Sequence, residues 1–433
     1  MKRAQSFTSA LRPALVVLGL LLASAQVGQA QVCGCTDPLA LNYDPTATIN
    51  DGGCVYATTV VNATTVGPLD SLLEGSSSLI WWDNGFWTFN DHSDSCLYHL
   101  DATNAAIIEA LCINGIYNYD IEEISQDSLF FYLGDVGNNN GSRQNLHILR
   151  IRKESILNQN VEIDTIWFSY EDQTDFSYLP QATDFDCEAF VVSQDSIYLF
   201  TKQWVSMQTT IYALPKTPGT HVARKRATYD VDGLITGATY LPEYRLVALC
   251  GYEFDISNYS SLFHPFLVLL YDFQEDNFFS GNKRRLDLDY STWAQVEAIA
   301  THNALDFYLT NERFTTTLGD VTIDLPALLR HLDLRDYMLP YLTGLGYTMI
   351  QPHAAGNFHL YPNPATDRIH LDCPSDCYGA EYTIFNVQGQ KVMGGVLNDN
   401  TIMLNDHTVS AGIYLLVLQK KDRIIRGSFV KKE

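Results

Sequence analysis

Residues 183–202 read TDFDCEAFVVSQDSIYLFTK: an acidic opening, a short apolar run over 189–192, a polar turn over 193–196 and a second β-rich run over 197–201. That alternation predicts two short strands joined by a tight turn. The same order returns at 119–137 (YDIEEISQDSLFFYLGDVG) and at 295–313 (QVEAIATHNALDFYLTNER). In each, a glutamate precedes the first apolar run and a charged residue closes the second. From about residue 58 to 347 the chain is a succession of such runs, broken by Gly, Asn, Asp and Pro and almost without helical periodicity.

These runs group into units of four. The second unit comprises 122–125, 129–134, 145–151 and 164–170, the third 188–192, 197–201, 210–215 and 224–230, and the fourth 234–240, 245–250, 266–273 and 283–289. One four-stranded sheet cannot bury its own faces, whereas neighbouring sheets stacked around an axis can, and the expectation is an all-β, five-bladed β-propeller. The fifth unit shows three runs, 296–301, 307–310 and 328–334. The N-terminal run 58–66 is expected to supply its missing strand and close the ring without a free edge. Six blades are the alternative, if 173–180 and 251–265 contain further strands.

The first strand of a blade lines the channel and the second runs back antiparallel to it, so starts of first strands and ends of second strands share a face. Glu122, Glu188 and Glu297 therefore gather with Asp91, Asp135, Lys202 and Glu312 around one mouth, and Glu74 is a further candidate. The insertion GNNNGSR at 137–143, which brings Arg143, projects from the same side. Two carboxylates at ~5 Å in an effective dielectric near 20 repel by about 3 kcal/mol. A calcium or magnesium ion held by Glu122, Glu188, Glu297 and Asp135 would offset that. So would Arg143 or Lys202, protonation of one acid, or hydrogen bonds from backbone N–H groups where blades meet. Asp91, Arg143, Lys202 and Glu312 are the candidate binding residues, and aromatic side chains at the mouth could stack on a sugar.

Before this region lies a leader: Lys2, Arg3 and Arg12, an apolar core over 14–23, and Gly28-Gln29-Ala30, which reads as an export signal over residues 1–30. Its loss removes three positive charges and takes the formal net charge from -23 to -26. Nucleic acid is excluded as a partner by that balance, and no later stretch reaches the ~20 apolar residues of a membrane span. Residues 31–57 form a Cys- and Asp-rich loop with almost no apolar core, which a Cys35–Cys54 disulfide would hold by about 3 kcal/mol. Its Asp37, Asp44 and Asp51 are a second candidate calcium set, although Asp, Asn and Gly also simply make turns. Cys96 and Cys112 sit on either side of a turn and are expected to pair, and Cys373 and Cys377 can close a small loop. There is no GxSxG elbow, HExxH helix or GxxxxGK[ST] loop, which leaves serine hydrolase, zincin and nucleotide kinase chemistry without an anchor.

Residues 357–433 carry eight basic and eight acidic residues, unlike the acidic region before them, and mark a separate small β-sandwich. Strands are expected at 369–371, 382–387, 401–404, 412–418 and 424–430, with turns at Gly389 and Gly394-Gly395. The motifs YPNPA (with Pro362, Asn363 and Pro364), YTIFNVQGQKV, AGIYLLVL (with Gly412 and Tyr414) and the closing FVKK (with Lys431) resemble the type A C-terminal sorting domain of the type IX secretion system. That resemblance implies passage through the periplasm, recognition by the secretion machinery, and release or display at the outer cell surface. The stretch CTDPLALNYDPTATINDGGC resembles a motif of secreted Bacteroidetes-type proteins. LGDVGNNNGSR, DFDCEAF and GLITGATY resemble an uncharacterised family of exported bacterial propellers, related to phytase-like and esterase-like ones. Two function classes follow: a binding module for extracellular glycan or protein, and a metal-dependent hydrolase of phosphate esters.

Overall fold

The computed structural model describes residues 31–345 and 359–432, except 92–93, 158–160, 255–261, 290–293, 319, 373–378, 387–389, 405–408 and 421–422. The leader and the Cys373–Cys377 pair lie outside the described residues. The chain divides into two compact units, one running to His302 and including Tyr308–Leu332, the other comprising Asn303–Phe307 and Asp333–Glu433.

The first unit is built from four-stranded sheets. Sheet 1 is Ser76–Trp82, Gly85–Asn90, Cys96–Leu100 and Ile107–Cys112. Sheet 2 is Ile121–Gln126, Phe130–Asp135, His147–Arg152 and Ile163–Tyr170, and sheet 3 is Asp186–Val192, Ser196–Lys202, Gln208–Pro215 and Gly219–Asp230. Sheet 4 is Leu234–Leu241, Leu246–Phe254, Phe263–Tyr271 and Asn282–Asp289. Sheet 5 takes Val296–Thr301, Asp306–Asn311 and Leu328–Asp333, and its outermost strand is Thr64–Pro68 from the N-terminal side. The first strands pack against one another in cyclic order, sheet 5 returning to sheet 1.

The expected closure is present, with one difference. The run expected over 58–66 splits in two: Thr64–Pro68 completes sheet 5, while Val60–Asn62 pairs in parallel with Asn282–Asp289 and widens sheet 4. A hairpin of Phe314–Leu318 and Val321–Leu325, absent from the sequence reading, interrupts sheet 5. Sheets 2 and 3 are joined by a parallel pairing of Ile163–Tyr170 with Gly219–Asp230. Residues 173–180 hold no strand, and 251–254 lengthen the second strand of sheet 4.

Local chemistry explains the cuts. Asp83 and Asn84 both have positive φ, which matches the turn twist that a two-residue hairpin requires. Asp127 accepts hydrogen bonds from the N–H groups of Leu129 and Phe130 and fixes the next turn. Outer strands alternate, as in Ile163–Tyr170, where Ile166, Phe168 and Tyr170 are buried and Trp167 is exposed. Two of the first strands are buried throughout: every residue of Asp186–Val192 and of Val296–Thr301 is inside. The core lies between adjacent sheets, with Phe89, Ile124, Phe131 and Ile151 between sheets 1 and 2, and Tyr132, Phe190, Leu199 and Tyr212 between sheets 2 and 3. Each fully buried large apolar side chain stabilises by about 1.5–3 kcal/mol.

In the second unit a three-stranded sheet (His359–Tyr361, Arg368–Asp372, Thr401–Met403) and a four-stranded sheet (Lys391–Val396, Glu381–Asn386, Gly412–Lys420, Arg423–Lys431) share a core of Ile369, Ile384, Leu416 and Phe429. The segment expected to turn at Gly394-Gly395 is instead the strand Lys391–Val396, antiparallel to Glu381–Asn386. The opening and closing motifs zip together: Asn363 accepts from the N–H of Val430 at 2.9 Å, and Ala365 exchanges backbone bonds with Val430 and Lys432 at 2.7 Å each. Pro362 and Pro364 flank that asparagine, the Asn363–Pro364 peptide is cis, and Gly412 pairs opposite Lys431. The Tyr414 hydroxyl donates to the Ser410 carbonyl and its ring stacks on Phe429.

Candidate functional site

One position recurs at the start of the first strands. The antiparallel register skips Ser77 in sheet 1, Glu122 in sheet 2, Glu188 in sheet 3 and Thr236 in sheet 4, so each is the extra residue of a β-bulge. Glu297 follows Val296 in sheet 5 as Glu188 follows Cys187 in sheet 3. A bulge frees one side chain from the alternation of the strand and re-aims it. Where the residue is hydroxylic it ties neighbouring first strands together. Ser77 donates to the carbonyl of Ile121 at 2.9 Å, and Thr236 donates to that of Val296 at 2.5 Å. In each case the acceptor residue immediately precedes a glutamate, Glu122 or Glu297.

Glu122, Glu188 and Glu297 act on one another electrostatically, Glu188 raising both of the others. Burial pushes the Glu122 carboxyl well up, and Glu188, Asp120 and Asp91 push it further. Burial also raises Glu297, with Glu312, Glu188 and Asp91 adding to it against the pull of Lys202. Glu312 rises to about 8, from burial and then Asp91, and Asp120 to about 6, from burial, with Arg143 pulling the other way. Gly137 is required here. A Cβ at that position would stand 2.2 Å from Asp120 Oδ2 and 2.8 Å from Glu122 Oε1.

Two cations enter this acidic ground. Lys202 is 4% exposed, and its Nζ donates to Glu188 Oε2 at 2.6 Å over the rings of Trp204 and Tyr252. Burial pulls the Lys202 ammonium down, but Glu188, Tyr252 and Glu297 outweigh it and the net direction is upward. Burial moves Glu188 up against the pull of Lys202. Arg143, from the 137–143 insertion, folds back on Asp135, donates to the Gly137 carbonyl at 2.6 Å, lies 3.7 Å from Asp120 and stacks over Tyr119. Asp135 therefore turns toward Arg143. Asp186, fully buried, accepts from the N–H groups of Asn138 and Cys187 and from the Trp204 indole.

Sequence reading did not single out Asp120, Asp186, Trp204 or Tyr252 as site residues, nor the roles of Ser77 and Thr236. Aligning the units on their bulge position would have found the last two, since GSSSL and GLITG occupy the place of DCEAF. Beside the mouth, Leu72, Glu74, Asp91, Glu312, Arg313 and Thr315 line a cavity of about 660 Å³. Glu74 is paired there with Arg313 at 2.7 Å.

The donor set does not fit a divalent ion. Among the described residues no three His, Cys, Asp or Glu side chains are placed to hold a metal; Glu188 is engaged by Lys202 and Asp135 by Arg143. The N-terminal acids are occupied as well. Asp44 caps the N–H and hydroxyl of Thr46, and Asp51 accepts from the N–H of Gly53. Asp37 receives the N–H of Leu39 and the hydroxyls of Tyr56 and Tyr271. The Cys35–Cys54 loop is thus docked on sheet 4, where Asn50 also bonds Asp272 and Asn282. The Cys96–Cys112 disulfide is formed as well, closing the outer hairpin of sheet 1, while Cys187 and Cys250 are buried thiols.

Further along the first strands, Glu123 crosses the ring. Its two carboxyl oxygens accept the N–H groups of Ile124 at 2.9 Å and of Ala238, in sheet 4, at 2.8 Å.

Fold and tail together define an exported β-propeller. Residues 359–432 match the family described as the secretion system C-terminal sorting domain, which directs a protein to the cell surface or to secretion. The disulfides accord with that destination, and among the described residues no helix is long and apolar enough to cross a membrane. No curated protein matches the chain in sequence. Among solved structures it is similar to the glutaminyl cyclase of Myxococcus xanthus, at TM-score 0.38 and 11% identity over 64% of this chain and 99% of that one. It is also similar to PorZ, an essential surface component of the type IX secretion system of Porphyromonas gingivalis, at TM-score 0.27 and 9% identity over 83% of this chain and 45% of that one. A gluconolactonase of Xanthomonas campestris gives TM-score 0.33 and 8% identity over 63% and 97%. Similarity at this level says nothing about substrate.

Proposed function

We propose that this protein is a five-bladed propeller, exported through its C-terminal β-sandwich, that acts as a binding module and receives a cationic group of its ligand at the acidic mouth. The observation that carries the reading is Glu297. The residue is 7% exposed, burial is the largest influence on its carboxyl, and the charges of Glu312, Glu188 and Asp91 raise it further against the pull of Lys202. Lys202 and Arg143 are the cations at the mouth, and their hydrogen-bonded ion pairs are with Glu188 and with Asp135, so an arriving ammonium or guanidinium group would meet Glu297 and Glu312. Such a group would also release the protons that burial now favours, and binding should strengthen as pH rises. Exposed Leu72, Tyr178, Leu179 and Val205, on loops at the same end of the strands, supply apolar contact around a charged centre.

The phosphate-ester hydrolase reading has less support, because an acid-rich mouth repels anionic esters and its carboxylates do not form a metal set. Titration of the full chain with spermine and with a lysine-rich peptide, by calorimetry at about pH 7.5, tests the assignment. Binding of either probe that weakens at least about tenfold in Glu297→Gln or Glu312→Gln is expected. Binding indifferent to both substitutions, or calcium-dependent turnover of p-nitrophenyl phosphate without amine binding, would overturn it.

A further inference from the structure

A second concave site lies on the face of sheet 2, next to the Asp135–Arg143 pair of the mouth. Register places His147 opposite Trp167 and Leu149 opposite Thr165, so these four side chains share one face of the strands His147–Arg152 and Ile163–Tyr170. The His147 and Trp167 rings are tilted together, 4.4 Å apart. The opposing wall is the segment that leads from sheet 1 to sheet 2. It presents Tyr117, 78% exposed, and Tyr119, 58% exposed, the latter held flat under the Arg143 guanidinium at 4.8 Å. Between His147, Leu149 and Thr165 on one side and these tyrosines on the other is a cleft of about 370 Å³ whose polar lining is Asn145, His147 and Thr165, beside Asp135; Trp167 stands outside that lining and continues the same strand face past the His147 ring.

Four features give the ligand class. First, the aromatic rings are not used by the fold: Trp167 is 42% exposed on a strand whose alternate residues, Ile166 and Phe168, are buried. Second, no free charge lines the cleft, since the Asp135 carboxylate is met by Arg143. Third, the polar groups offer both donors and acceptors at neutral charge. The Asn145 carbonyl takes the hydrogen of His147 Nδ1 at 3.0 Å, which leaves Nε2 as an acceptor in the neutral tautomer. Fourth, the volume is at the small end of the ~300–1,000 Å³ range of ligand sites, suited to one or two sugar rings. A molecule with flat C–H faces, a rim of hydroxyls and no net charge matches all four.

We propose that this cleft is a saccharide-binding site, lined by neither Glu297 nor Glu312, in which a neutral glycan stacks on Tyr117, Tyr119 and the His147–Trp167 pair. Binding does not depend on Glu297 or Glu312.

The test is titration of the full chain with cellohexaose, xylohexaose, mannohexaose, maltohexaose and chitohexaose, read by calorimetry and tryptophan fluorescence. At least one binds, and Tyr117→Ala and Trp167→Ala each weaken it about tenfold, whereas Glu297→Gln leaves it unchanged. Both aromatic side chains are exposed, so the variants keep the parent melting temperature, which separates loss of binding from loss of fold. No binding of any of the five up to about 10 mM would overturn the proposal. Binding unaffected by both aromatic substitutions would do the same. So would loss of binding in Glu297→Gln, or retention of a protein ligand, instead of a glycan, through Tyr117 and Trp167.

Discussion

Glu123 offers the sharpest test of how the ring of first strands is held. The inner edge of a propeller strand has no further strand to pair with, so its N–H groups face the channel. One of them, on Ala238, is satisfied by the Glu123 carboxyl from across the ring, and the other carboxyl oxygen takes the N–H of Ile124. Two N–H donors favour an ionised acid, while burial at 1% exposure favours a neutral one. Burial is the larger influence and the group is raised well above its ordinary value of 4.5. Between 4.5 and that raised value the native state holds a proton that the unfolded chain has released. This group's contribution is therefore fully present below its unfolded value and is lost as pH rises toward its folded one, at about 1.4 kcal/mol per pH unit.

Glu123→Gln keeps the shape and abolishes the titration. It also replaces one acceptor by an NH₂ that faces an N–H, which costs about 1–3 kcal/mol. Urea unfolding of both proteins should show the variant less stable near pH 5.5, and the gap should narrow in its favour as pH rises toward 7.5. Other raised acids add to the pH slope of each protein equally and cancel in the difference. A gap that stays constant across this range would mean that Glu123 is ionised in the native state and that the two backbone donors outweigh its burial.

Two further outcomes are expected. Deleting residues 359–433 should strand a folded, disulfide-bonded propeller in the periplasm; cell fractionation that finds the shortened chain outside at the full-length level would refute the role of the tail. Lys202→Met should destabilise by about 3–5 kcal/mol, because it leaves Glu188 buried beside Asp186 without its cation. Adding Glu188→Gln should restore most of that loss, and two losses that simply add in the urea midpoints would show that the pair does not interact.

Much of the fold was legible because the information was local. Strand periodicity and turn residues such as Asp127 located the four runs of sheets 2, 3 and 4 to within a few residues, and the missing run of the fifth unit pointed to the N-terminal side. What failed was partner choice. Nothing in residues 58–66 says that Val60–Asn62 adds to sheet 4 while Thr64–Pro68 closes sheet 5, because both pieces are β-rich and only the geometry of the ring separates them. The hairpin after Asn311 escaped for a similar reason: TTTLGDVTID has weak apolar alternation, and a two-stranded extension buries little. Gly394-Gly395 reads as a turn in sequence, yet a strand with an exposed face tolerates both glycines.

The candidate site shows a sharper division between position and state. Topology alone placed Glu122, Glu188 and Glu297 at one mouth, since any repeat that starts its first strand with a glutamate delivers that glutamate to the same ring. The state of those acids depends on quantities no spacing carries: which second-strand residue reaches back, how deep the ring buries it, and whether the bulge side chain is long enough to leave the interface between blades. Ser77 and Thr236 are short and bond the adjacent first strand; a glutamate at the same bulge overreaches that carbonyl and must find a charge or a proton instead. Lys202 meets that need for Glu188 through a hydrogen bond, and acts on Glu297 through its charge alone, against burial. The ring is therefore asymmetric at one repeated structural position: two hydroxyls and three carboxyls, with a lysine hydrogen-bonded to one of the carboxyls.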